Sequence, residues 1–419
     1  MREMKDSGIE WIGQIPEDWN IKRLKAVLCE RNESNNPIKT DYILSLTNDR
    51  GVIPYDEKGV VGNKSKEDLS GYKLAYLNDI ILNSMNVIIG SVALSKYYGC
   101  VSPVYYMLYH RNPMDDVRYY NYIFQTKEFQ SKLKGYGNGI MEIRMRIQMS
   151  KLNTVELPIP DATTQTRIAD FLDEKCGKID RYIEKQQQVI EKLKAYKQSV
   201  ITEAVTKGLN LDVTMKDSGI EWIGMIPEHW EVCKFGYLAT VKSNLVHPNE
   251  YKSYPQVSSE NIEKGSGKLL ECHTVDEVGI ISDNHLFFKG QILYSKIRPA
   301  LNKATIAPFD GLCSADIYPI ETKECLKFVL YSILSESFLE QVRTITETRV
   351  KMPKINQNEL SGIWVTKIPY DEQQAIATYL DSLCESIDKA IANKEKIVRK
   401  VIEYKKSLIY EAVTGKMEV

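Results

Sequence analysis

The chain has 419 residues, of which 26% are charged and 43% are hydrophobic, and its 55 Lys and Arg residues nearly balance 56 Asp and Glu residues. This length accommodates two to four domains, and no run approaches the roughly 18 apolar residues of a membrane span or the apolar stretch of a signal peptide, so we expect a soluble cytoplasmic protein with no membrane partner. The net charge of −1 excludes a protein that holds nucleic acid by its overall charge, so any DNA contact would come from local basic patches or be shared with a partner.

The first feature along the chain is a ten-residue segment that occurs twice. Residues 4–13 (MKDSGIEWIG) return as residues 215–224, and Ile-Pro-Glu-x-Trp at 15–19 returns at 226–230. The two copies lie 211 residues apart, since residue 4 corresponds to residue 215. Solenoid repeats are only about 20–50 residues long, so this spacing indicates a tandem duplication of one unit. In such a duplication we expect the first copy of the segment to lie beside the end of the second long helix. We interpret its apolar residues as packing anchors: Trp11, Ile12, Ile15, Trp19, Trp222, Ile223, Ile226 and Trp230.

The middle of each unit diverges in sequence but keeps a common skeleton. Residues 78–106 align with residues 290–318, so that Gly99 corresponds to Gly311. Both middles therefore look α+β, with one fold and different surface chemistry. Strand-like runs occupy residues 79–83, 105–109, 291–294 and 304–307, and short helices are predicted at residues 119–133 and 326–342.

Two places in each middle carry side chains suited to DNA. One follows a strand, where a loop can project donors, and the other lies further along, before the long helix. Arg and Lys bind guanine edges, Asn and Gln bind adenine edges, and both kinds contact phosphates. The alternative is that these are ordinary solvated loops. The candidate DNA-binding residues are Asn83, Ser84, Asn86, Tyr136, Asn138, Arg144, Arg146 and Gln148 in the first copy, and Ser295, Lys296, Arg298, Asn302, Lys303, Thr348, Arg349, Lys351 and Lys354 in the second.

Each unit closes with a long helix. Residues 165–206 align without a gap with residues 373–414. Asp161 and Asp371 offer capping oxygens at the helix starts. Helix-ending glycines follow at Gly208 and Gly415.

The apolar positions of these helices step by four and three, which is a heptad seam over about forty residues, or roughly 60 Å. Two polar positions interrupt the seam in each copy. They are Gln186 and Lys197 in the first helix, which align with Lys394 and Lys405 in the second. We predict an antiparallel coiled coil that would act as a ruler between two DNA half-sites. The alternative is two separate helices, each lying on its own domain. The predicted pairing residues are Leu172, Ile179, Ile183, Ile190, Leu193, Val200, Leu380, Ile387, Ile391, Val398, Val401 and Leu408.

The fold class predicted from these elements is α+β, as a pseudo-twofold symmetric tandem duplication. Two globular domains are joined by two long helices that pair as an antiparallel coiled coil. The predicted boundaries are residues 1–160 for the first globular domain, 161–208 for the first long helix, 209–370 for the second domain and 371–419 for the second long helix.

No catalytic motif stands out. The chain lacks the Asp/Asn-Pro-Pro-aromatic run of amino-group methyltransferases and the Gly-x-x-x-x-Gly-Lys-Ser/Thr phosphate loop. Its eight cysteines are scattered without a Cys-x-x-Cys pair, so no metal site is expected. We therefore predict a protein without catalysis of its own.

Three features together resemble the specificity subunits of type I restriction–modification enzymes. They are Gly-x-Ile-Pro-x-x-Trp at 13–19, Leu-Pro-Ile-Pro at 157–160 followed by Gln-x-x-Ile-Ala-x-Phe-Leu-Asp, and the duplicated layout. The resemblance covers essentially the whole chain, and residues 290–314 look like one recurrent subtype of that family's target-recognition domains. The second copy departs from the pattern with Lys-Ile-Pro-Tyr at 367–370.

The resemblance implies that each globular domain is a target-recognition domain that reads one half of a bipartite, asymmetric site in double-stranded DNA. The helices would set the spacing and hold two methyltransferase (M) subunits, with restriction (R) subunits outside them. S-adenosylmethionine, ATP and Mg²⁺ would be bound by those partners, and no cofactor by this chain. Two alternatives stay open: a recognition subunit for a fused restriction–methylation polypeptide, and a coiled-coil scaffold that does not touch DNA.

Overall fold

The computed structural model describes residues 2–48, 50–59, 67–136, 146–210, 212–349 and 352–419. The chain divides into two compact units. Unit 1 comprises Met1–Gln186 and Lys396–Val419, and unit 2 comprises Gln187–Glu395. Each unit holds one globular domain, the first half of the long helix that follows it and the second half of the other long helix. This division falls inside the helices, whereas the boundaries predicted from the sequence separate helices from domains.

Unit 1 is built around a four-stranded antiparallel sheet with the strand order β4-β11-β8-β9. Its strands are β1 (Met4–Asp6), β2 (Gln14–Pro16), β3 (Asn20–Arg23), β4 (Leu28–Arg31), β5 (Leu44–Thr47), β6 (Gly51–Pro54), β7 (Lys73–Ala75), β8 (Ile80–Asn83), β9 (Val92–Leu94), β10 (Gly99–Val101), β11 (Tyr105–His110) and β12 (Glu156–Ile159). The remaining strands form the antiparallel pairs β1–β2, β3–β12, β5–β6 and β7–β10. Its helices are α1 (Leu24–Val27), α2 (Val117–Gln125), α3 (Lys127–Lys134), α4 (Met149–Leu152) and the first half of α5 (Ala162–Lys207), with 3₁₀ turns at Tyr55–Lys58 and Val87–Ile89.

Unit 2 has a four-stranded sheet of the same kind, with the order β16-β23-β20-β21, and a second sheet with the order β17-β19-β22-β18. Its strands are β13 (Met215–Asp217), β14 (Met225–Pro227), β15 (Glu231–Lys234), β16 (Ala239–Val241), β17 (Leu245–Val246), β18 (Gln256–Val257), β19 (Asn284–Phe287), β20 (Ile292–Ser295), β21 (Ala304–Ile306), β22 (Gly311–Cys313), β23 (Ile317–Thr322) and β24 (Trp364–Lys367). Strands β13–β14 and β15–β24 also pair. Its helices are α6 (Phe235–Leu238), α7 (Val275–Val278), α8 (Leu326–Leu334), α9 (Glu336–Thr346), α10 (Gln357–Ser361) and the first half of α11 (Tyr370–Val413), with 3₁₀ turns at Pro248–Glu250, Ser259–Asn261 and Pro299–Leu301.

The two globular domains share one fold, as the alignment of their middles predicted. Strands β8, β10 and β11 occupy the places of β20, β22 and β23 in the sheets of the other unit. Gly99 and Gly311 lie at one matching position where the backbone of a neighbouring segment comes close. A Cβ atom there would lie 2.5 Å from the Tyr42 carbonyl oxygen in unit 1 and 2.6 Å from that of Pro255 in unit 2. Both units have glycine at this position because a side chain would collide with the neighbouring carbonyl oxygen.

Each short helix predicted from the sequence is a pair of helices, so the prediction of one continuous helix was wrong. In unit 1 the break lies at Thr126, whose hydroxyl oxygen accepts a hydrogen bond from the Phe129 amide. In unit 2 it lies at Ser335, which accepts from the Phe338 amide in the same way. A Ser or Thr side chain that caps the next helix holds its own backbone in an extended conformation, and this ends the preceding helix.

Helices α5 and α11 pair antiparallel inside each unit. The core of unit 1 joins Leu172 near the start of α5 to Leu408 near the end of α11. The core of unit 2 joins Ile201 near the end of α5 to Leu380 near the start of α11. All twelve seam positions predicted from the heptad pattern are buried or half-buried, which is what a coiled-coil seam requires.

The lysines that interrupt the seam carry ion pairs. Lys405 Nζ lies 2.6 Å from an Asp180 carboxylate oxygen in unit 1, and Lys197 Nζ lies 2.8 Å from Asp388 in unit 2. These are two copies of one pair, because the sequence repeat aligns Lys197 with Lys405 and Asp180 with Asp388. In unit 2 a second ammonium group, that of Lys268, lies 2.7 Å from Asp388.

The two lysines determine the charge of Asp388. Partial burial opposes its ionisation, but the hydrogen bonds from Lys197 and Lys268 outweigh burial and lower the pKa of this carboxyl. Because the pKa is lower in the folded chain, the pair stabilises unit 2 above about pH 4, the usual pKa of an aspartate. This contribution is lost as the pH falls through the folded value.

The two long helices begin in equivalent ways despite their different sequences. Helix α11 begins at Tyr370, so Asp371 lies within its first turn and is not the capping residue predicted from the sequence. The capping role of Asp161 on α5 is confirmed, since its carboxylate accepts from the Thr164 amide at 3.0 Å. In both copies a buried glutamine, Gln165 or Gln373, joins the helix start to the backbone before α2 or α8.

Each copy of the repeated segment packs against the end of a long helix, and for the first copy this was predicted from the sequence. In unit 1 the Tyr410 hydroxyl donates to the Trp11 and Ile12 carbonyls, and Gly415 lies against Trp19. In unit 2 the end of α5 lies against Trp230 through Gly208.

One packing anchor was predicted wrongly. Trp11 is buried and packs edge-on against Phe129 at 5.3 Å between ring centroids. Its copy Trp222 is 39% exposed. In unit 2 the counterpart of Phe129 is Phe338. Its ring packs against Phe235, with 5.4 Å between ring centroids.

Replacing Gly415 by alanine is expected to destabilise unit 1 by about 2–4 kcal/mol, because the substitution combines backbone strain with overpacking. The glycine has φ +70°, and a Cβ atom there would lie 2.5 Å from the Pro16 ring. Gly8→Ala is the matched control in the same unit, since Gly8 also has φ +70° but no atom within 4 Å of the added Cβ. Thermal unfolding of both variants measures the difference, and equal losses of Tm would contradict this account.

Candidate nucleic-acid interface

The two candidate segments of unit 2 lie side by side. The loop after β20 and the segment before α10 are joined by two backbone hydrogen bonds, from the Ile355 amide to the Lys296 carbonyl (3.0 Å) and from the Arg298 amide to the Pro353 carbonyl (2.8 Å). We call the surface formed by residues 295–303, 348–349 and 352–354 patch 2. Sequence reasoning named these segments separately, and the fold makes one surface of them.

Unit 1 repeats this arrangement. The Ile147 amide donates to the Ser84 carbonyl at 2.9 Å, which joins the loop after β8 to the segment before α4. The Tyr106 hydroxyl donates to the Ile147 carbonyl at 3.2 Å, and its counterpart Tyr318 donates to the Ile355 carbonyl at 3.4 Å. We call the surface formed by residues 83–86 and 146–148 patch 1. The two domains thus present equivalent surfaces on the same backbone frame.

Three candidate residues are buried and hold this frame in place. The Ser84 hydroxyl donates to the Val104 carbonyl at 2.8 Å, and the Asn302 amide group donates to the Ile333 carbonyl at 3.1 Å. Ser295 shares a 2.8 Å hydrogen bond with Ser259. All three are buried, so the exposed residues around them carry the chemistry of the patches.

The lysines of patch 2 are held by one carboxylate, that of Asp316, and by one backbone carbonyl, that of Ser259. Lys354 Nζ lies 3.0 Å from Asp316, and the Lys296 ammonium lies 4.0 Å from the same carboxylate and 5.2 Å from the centre of the Tyr318 ring. The Lys303 ammonium donates to the Ser259 carbonyl at 2.5 Å. A lysine held by one carboxylate can exchange it for a phosphate at little cost.

Arg349 lies beside these lysines and is committed to a different partner. Its guanidinium binds both carboxylate oxygens of Glu359, and this hydrogen bonding lowers the pKa of Glu359. Thr348 is exposed next to it. Arg349 therefore holds the segment before α10 in place and contributes positive charge at the edge of the patch.

Arg298 differs from these residues. Its side chain is exposed and has no hydrogen-bond or ion-pair partner within the described part of the chain. Its φ is +44°, and Asn302 and Met352 in the same patch have φ +43° and +47°. Such left-handed conformations cost about 1–3 kcal/mol each and cluster at functional sites. The strained frame around Arg298 is thus a reason to expect a function there.

Patch 1 is more polar and less basic. Asn83 accepts from the Met85 amide at 3.0 Å, and Asn86 is half-buried at the start of a 3₁₀ turn. Arg146 and Gln148 are exposed and, among the described residues, their side chains have no partner. Tyr136 packs half-buried against the core of unit 1. Three candidates, Asn138, Arg144 and Lys351, lie outside the described residues.

Sequence reasoning missed Asp316 and Ser259, which position the lysines of patch 2. Ser259 lies far from the patch along the chain. Asp316 stands just before β23, and no motif links it to Lys354. Only the sheet brings these residues together, so a prediction of strand order would have been needed to find them.

Neither a metal centre nor a membrane segment is found in the ranges that the structure describes. Within them, no three His, Cys, Asp or Glu side chains cluster closely enough to hold a metal ion. No described helix combines the length and apolarity needed to cross a membrane.

The fold and the patches define a class of protein: a tandem duplication with two equivalent surface sites of different chemistry and two long helices that pair. Residues 16–197 match a family described as the type I restriction modification DNA specificity domain. The chain is 30% identical over 278 residues to the type I restriction enzyme EcoDI specificity subunit of Escherichia coli, and that alignment covers 61% of this chain and 62% of that protein. It is 26% identical over 432 positions to the putative MjaX specificity subunit of Methanocaldococcus jannaschii, covering 97% and 96%.

A solved chain from a type I R-M system has the same fold, with a TM-score of 0.71 at 11% identity, covering 96% of this chain and 99% of that one. The chain is therefore similar to DNA specificity subunits of type I restriction–modification systems, over nearly its whole length in the case of the MjaX subunit.

Proposed function

We propose that each globular domain reads one half of a bipartite, asymmetric DNA site. The observation that carries this proposal is the pair of equivalent patches. Both stand on the same hydrogen-bonded frame, yet patch 1 offers asparagines with Arg146 and Gln148, and patch 2 offers lysines with Arg298. Amide side chains favour adenine edges and guanidinium groups favour guanine edges, so the two halves of the site differ in sequence.

The paired helices set the distance between the two half-sites. Helices α5 and α11 have 46 and 44 residues, and each contributes one half to each unit. The ion pairs of Lys405 with Asp180 and of Lys197 with Asp388 support one register of pairing. Polar pairs at seam positions are the usual means by which coiled coils specify register.

The catalytic steps belong to partner subunits in this proposal. Two methyltransferase subunits bind the helices, and restriction subunits join outside them. S-adenosylmethionine, ATP and Mg²⁺ are bound by those partners. The chain's net charge of −1 supports shared DNA binding, because the partners would supply part of the positive surface around the phosphates.

Mapping the adenines methylated by the chain assembled with its methyltransferase subunit tests this function. We expect one motif with two unlike half-sites separated by a fixed gap. A gel shift with that motif and with a scrambled sequence, at a stated salt concentration, provides the control. Methylation without sequence preference would favour a scaffold, and a single uninterrupted motif would contradict reading by two domains.

A further inference from the structure

A short loop of unit 2 connects patch 2 with the paired helices. An antiparallel bridge between Ile262 and Leu269 closes this loop. The Glu263 amide donates to the Lys268 carbonyl at 3.0 Å, which adds a second link between its two sides. We call residues 262–269 the 262–269 loop.

The 262–269 loop is joined to patch 2 at two points. Just before the loop, the Ser259 carbonyl accepts from the Lys303 ammonium at 2.5 Å, and the Ser259 hydroxyl shares a 2.8 Å hydrogen bond with Ser295. At the tip of the loop, the Gly265 amide donates to the Asn302 carbonyl at 3.0 Å. Because Lys303, Ser295 and Asn302 belong to patch 2, a displacement of the 262–269 loop would displace the patch.

The tip of the loop is fixed by the domain itself. The Thr305 hydroxyl in β21 donates to the Gly267 carbonyl at 2.9 Å. Gly267 has φ +78°, and a Cβ atom there would lie 3.2 Å from Leu334 at the end of α8. The tip therefore packs closely against two elements of the domain, and the backbone of the neighbouring Lys268 is held in place.

Lys268 extends from this tip to the helices. Its ammonium lies 2.7 Å from one carboxylate oxygen of Asp388 on α11, and the Lys197 ammonium on α5 lies 2.8 Å from the other oxygen. An open groove of about 460 Å³, lined by Ser266 and Ala392 among others, lies between the loop and α11. The ion pair thus crosses a groove, so the charge of one side chain makes this link.

The second lysine distinguishes Asp388 from its counterpart in unit 1. Among the described residues, the ion-pair partner of Asp180 is Lys405. The Asp180 side chain is 57% exposed, whereas that of Asp388 is 23% exposed. Solvent screens a less exposed carboxylate less, so the contact of Lys268 with Asp388 is stronger than that of a fully exposed pair.

We propose that the 262–269 loop fixes patch 2 on the paired helices, and that Lys268 is a positioning residue for reading the half-site of unit 2. This inference rests on the proposed function and adds a determinant of specificity that lies outside both patches. Lys268 acts through Asn302 and Lys303 and does not itself touch DNA. A surface that reads base edges must be held to within about 0.5 Å, and a contact that holds it in advance lowers the cost of ordering it on the DNA.

The loop should also affect which gaps between the half-sites are accepted. Because the helices set this gap, a patch that is held less firmly on its helices accepts a gap one base pair longer or shorter more readily. Loss of the Lys268 contact should therefore weaken both the reading of the half-site of unit 2 and the rejection of altered gaps. The half-site of unit 1 should be read as before, since Lys268 belongs to unit 2.

The test uses the full chain assembled with its methyltransferase subunit, and DNA duplexes that carry the mapped motif with its natural gap or with one base pair added or removed. In Lys268→Glu a second carboxylate faces Asp388, so repulsion replaces attraction. Specific binding at the natural gap should fall about 10-fold, and the preference for the natural gap should fall about 3-fold or more. Lys268→Arg keeps the charge and should retain both.

Lys264→Glu is the matched control. Lys264 is exposed in the same loop, and among the described residues its side chain has no hydrogen-bond or ion-pair partner. This variant makes the same change of charge without breaking the link to Asp388, so it should keep the gap preference. Unchanged reading of the half-site of unit 1 in every variant shows that the chain is folded and assembled.

Several results would overturn the positioning role of Lys268. If Lys268→Glu keeps its gap preference and its reading of the half-site of unit 2, the role is wrong and the proposed function stands. Equal losses in Lys264→Glu would assign the effect to net charge, and equal losses at both half-sites would assign it to a general defect of the chain. A salt slope reduced by about one with an unchanged gap preference would assign Lys268 to a phosphate contact. If the unaltered chain reads no bipartite site, the proposed function fails and this inference fails with it.

Discussion

Replacing Lys296 and Arg298 together by alanine is expected to relax recognition of one half-site by about 30-fold or more and to leave the other half-site unchanged. Each well-placed basic side chain contributes about 1–3 kcal/mol of discrimination at a base pair. Among the described residues the Arg298 side chain has no partner, and its backbone is strained at φ +44°. Lys296 lies beside it, 4.0 Å from Asp316. Selection of bound or methylated sites from a randomised DNA library measures the loss at each position.

The control for this prediction removes the same amount of charge elsewhere in unit 2. Lys216 in β13 and Lys323 at the turn after β23 are exposed and lie outside patch 2. Alanine at both should leave the sequence preference unchanged, apart from a general weakening of DNA binding. If the patch 2 variant loses both half-sites equally, the domains do not read DNA independently.

Salt dependence separates base contacts from phosphate contacts in the same variants. Each lost phosphate contact reduces the slope of log K against log salt by about one, without changing sequence preference. A smaller slope with unchanged preference would assign Lys296 and Arg298 to phosphates. Lys354, whose ammonium is held by Asp316 at 3.0 Å, is the residue of patch 2 best suited to that role.

The repeated elements of the fold could be predicted from the sequence because their signals are local. The seam residues follow a heptad pattern, and the strands β8 and β20 appear as short apolar runs bounded by turn residues. Lys197 and Lys405 could be recognised as polar positions in an apolar seam. Their partners, Asp388 and Asp180, could not, because the register between two helices depends on both of them together.

The candidate site was only partly predictable, for a physical reason. The sequence shows which residues can form hydrogen bonds, but it does not show which way they point. Ser84, Ser295 and Asn302 look like DNA contacts in a loop, yet each bonds to the protein itself. The link between the two segments of a patch is a backbone hydrogen bond between distant residues, such as Ile355 and Lys296, and backbone groups carry no sequence signal.

Inserting one heptad into α5 between Gln186 and Gln187 is expected to abolish sequence-specific assembly. The insertion point separates the half of α5 that belongs to unit 1 from the half that belongs to unit 2. Seven residues add about 10 Å while rotating the helix faces by only about 20°, so the seam continues but its partners on α11 are displaced. Methyltransferase binding and specific DNA binding, measured as for the unaltered chain, should both fall below detection.

A compensating heptad between Glu395 and Lys396 in α11 is the matched control, because α11 divides between the units at that point. With both insertions, Lys405 can again meet Asp180 and Lys197 can again meet Asp388, so assembly should return. The recognised half-sites should then stay the same while the gap between them lengthens, by at most about three base pairs at about 3.4 Å each. An unchanged gap in the doubly lengthened chain would show that the helices do not set the spacing, even if they hold the partner subunits.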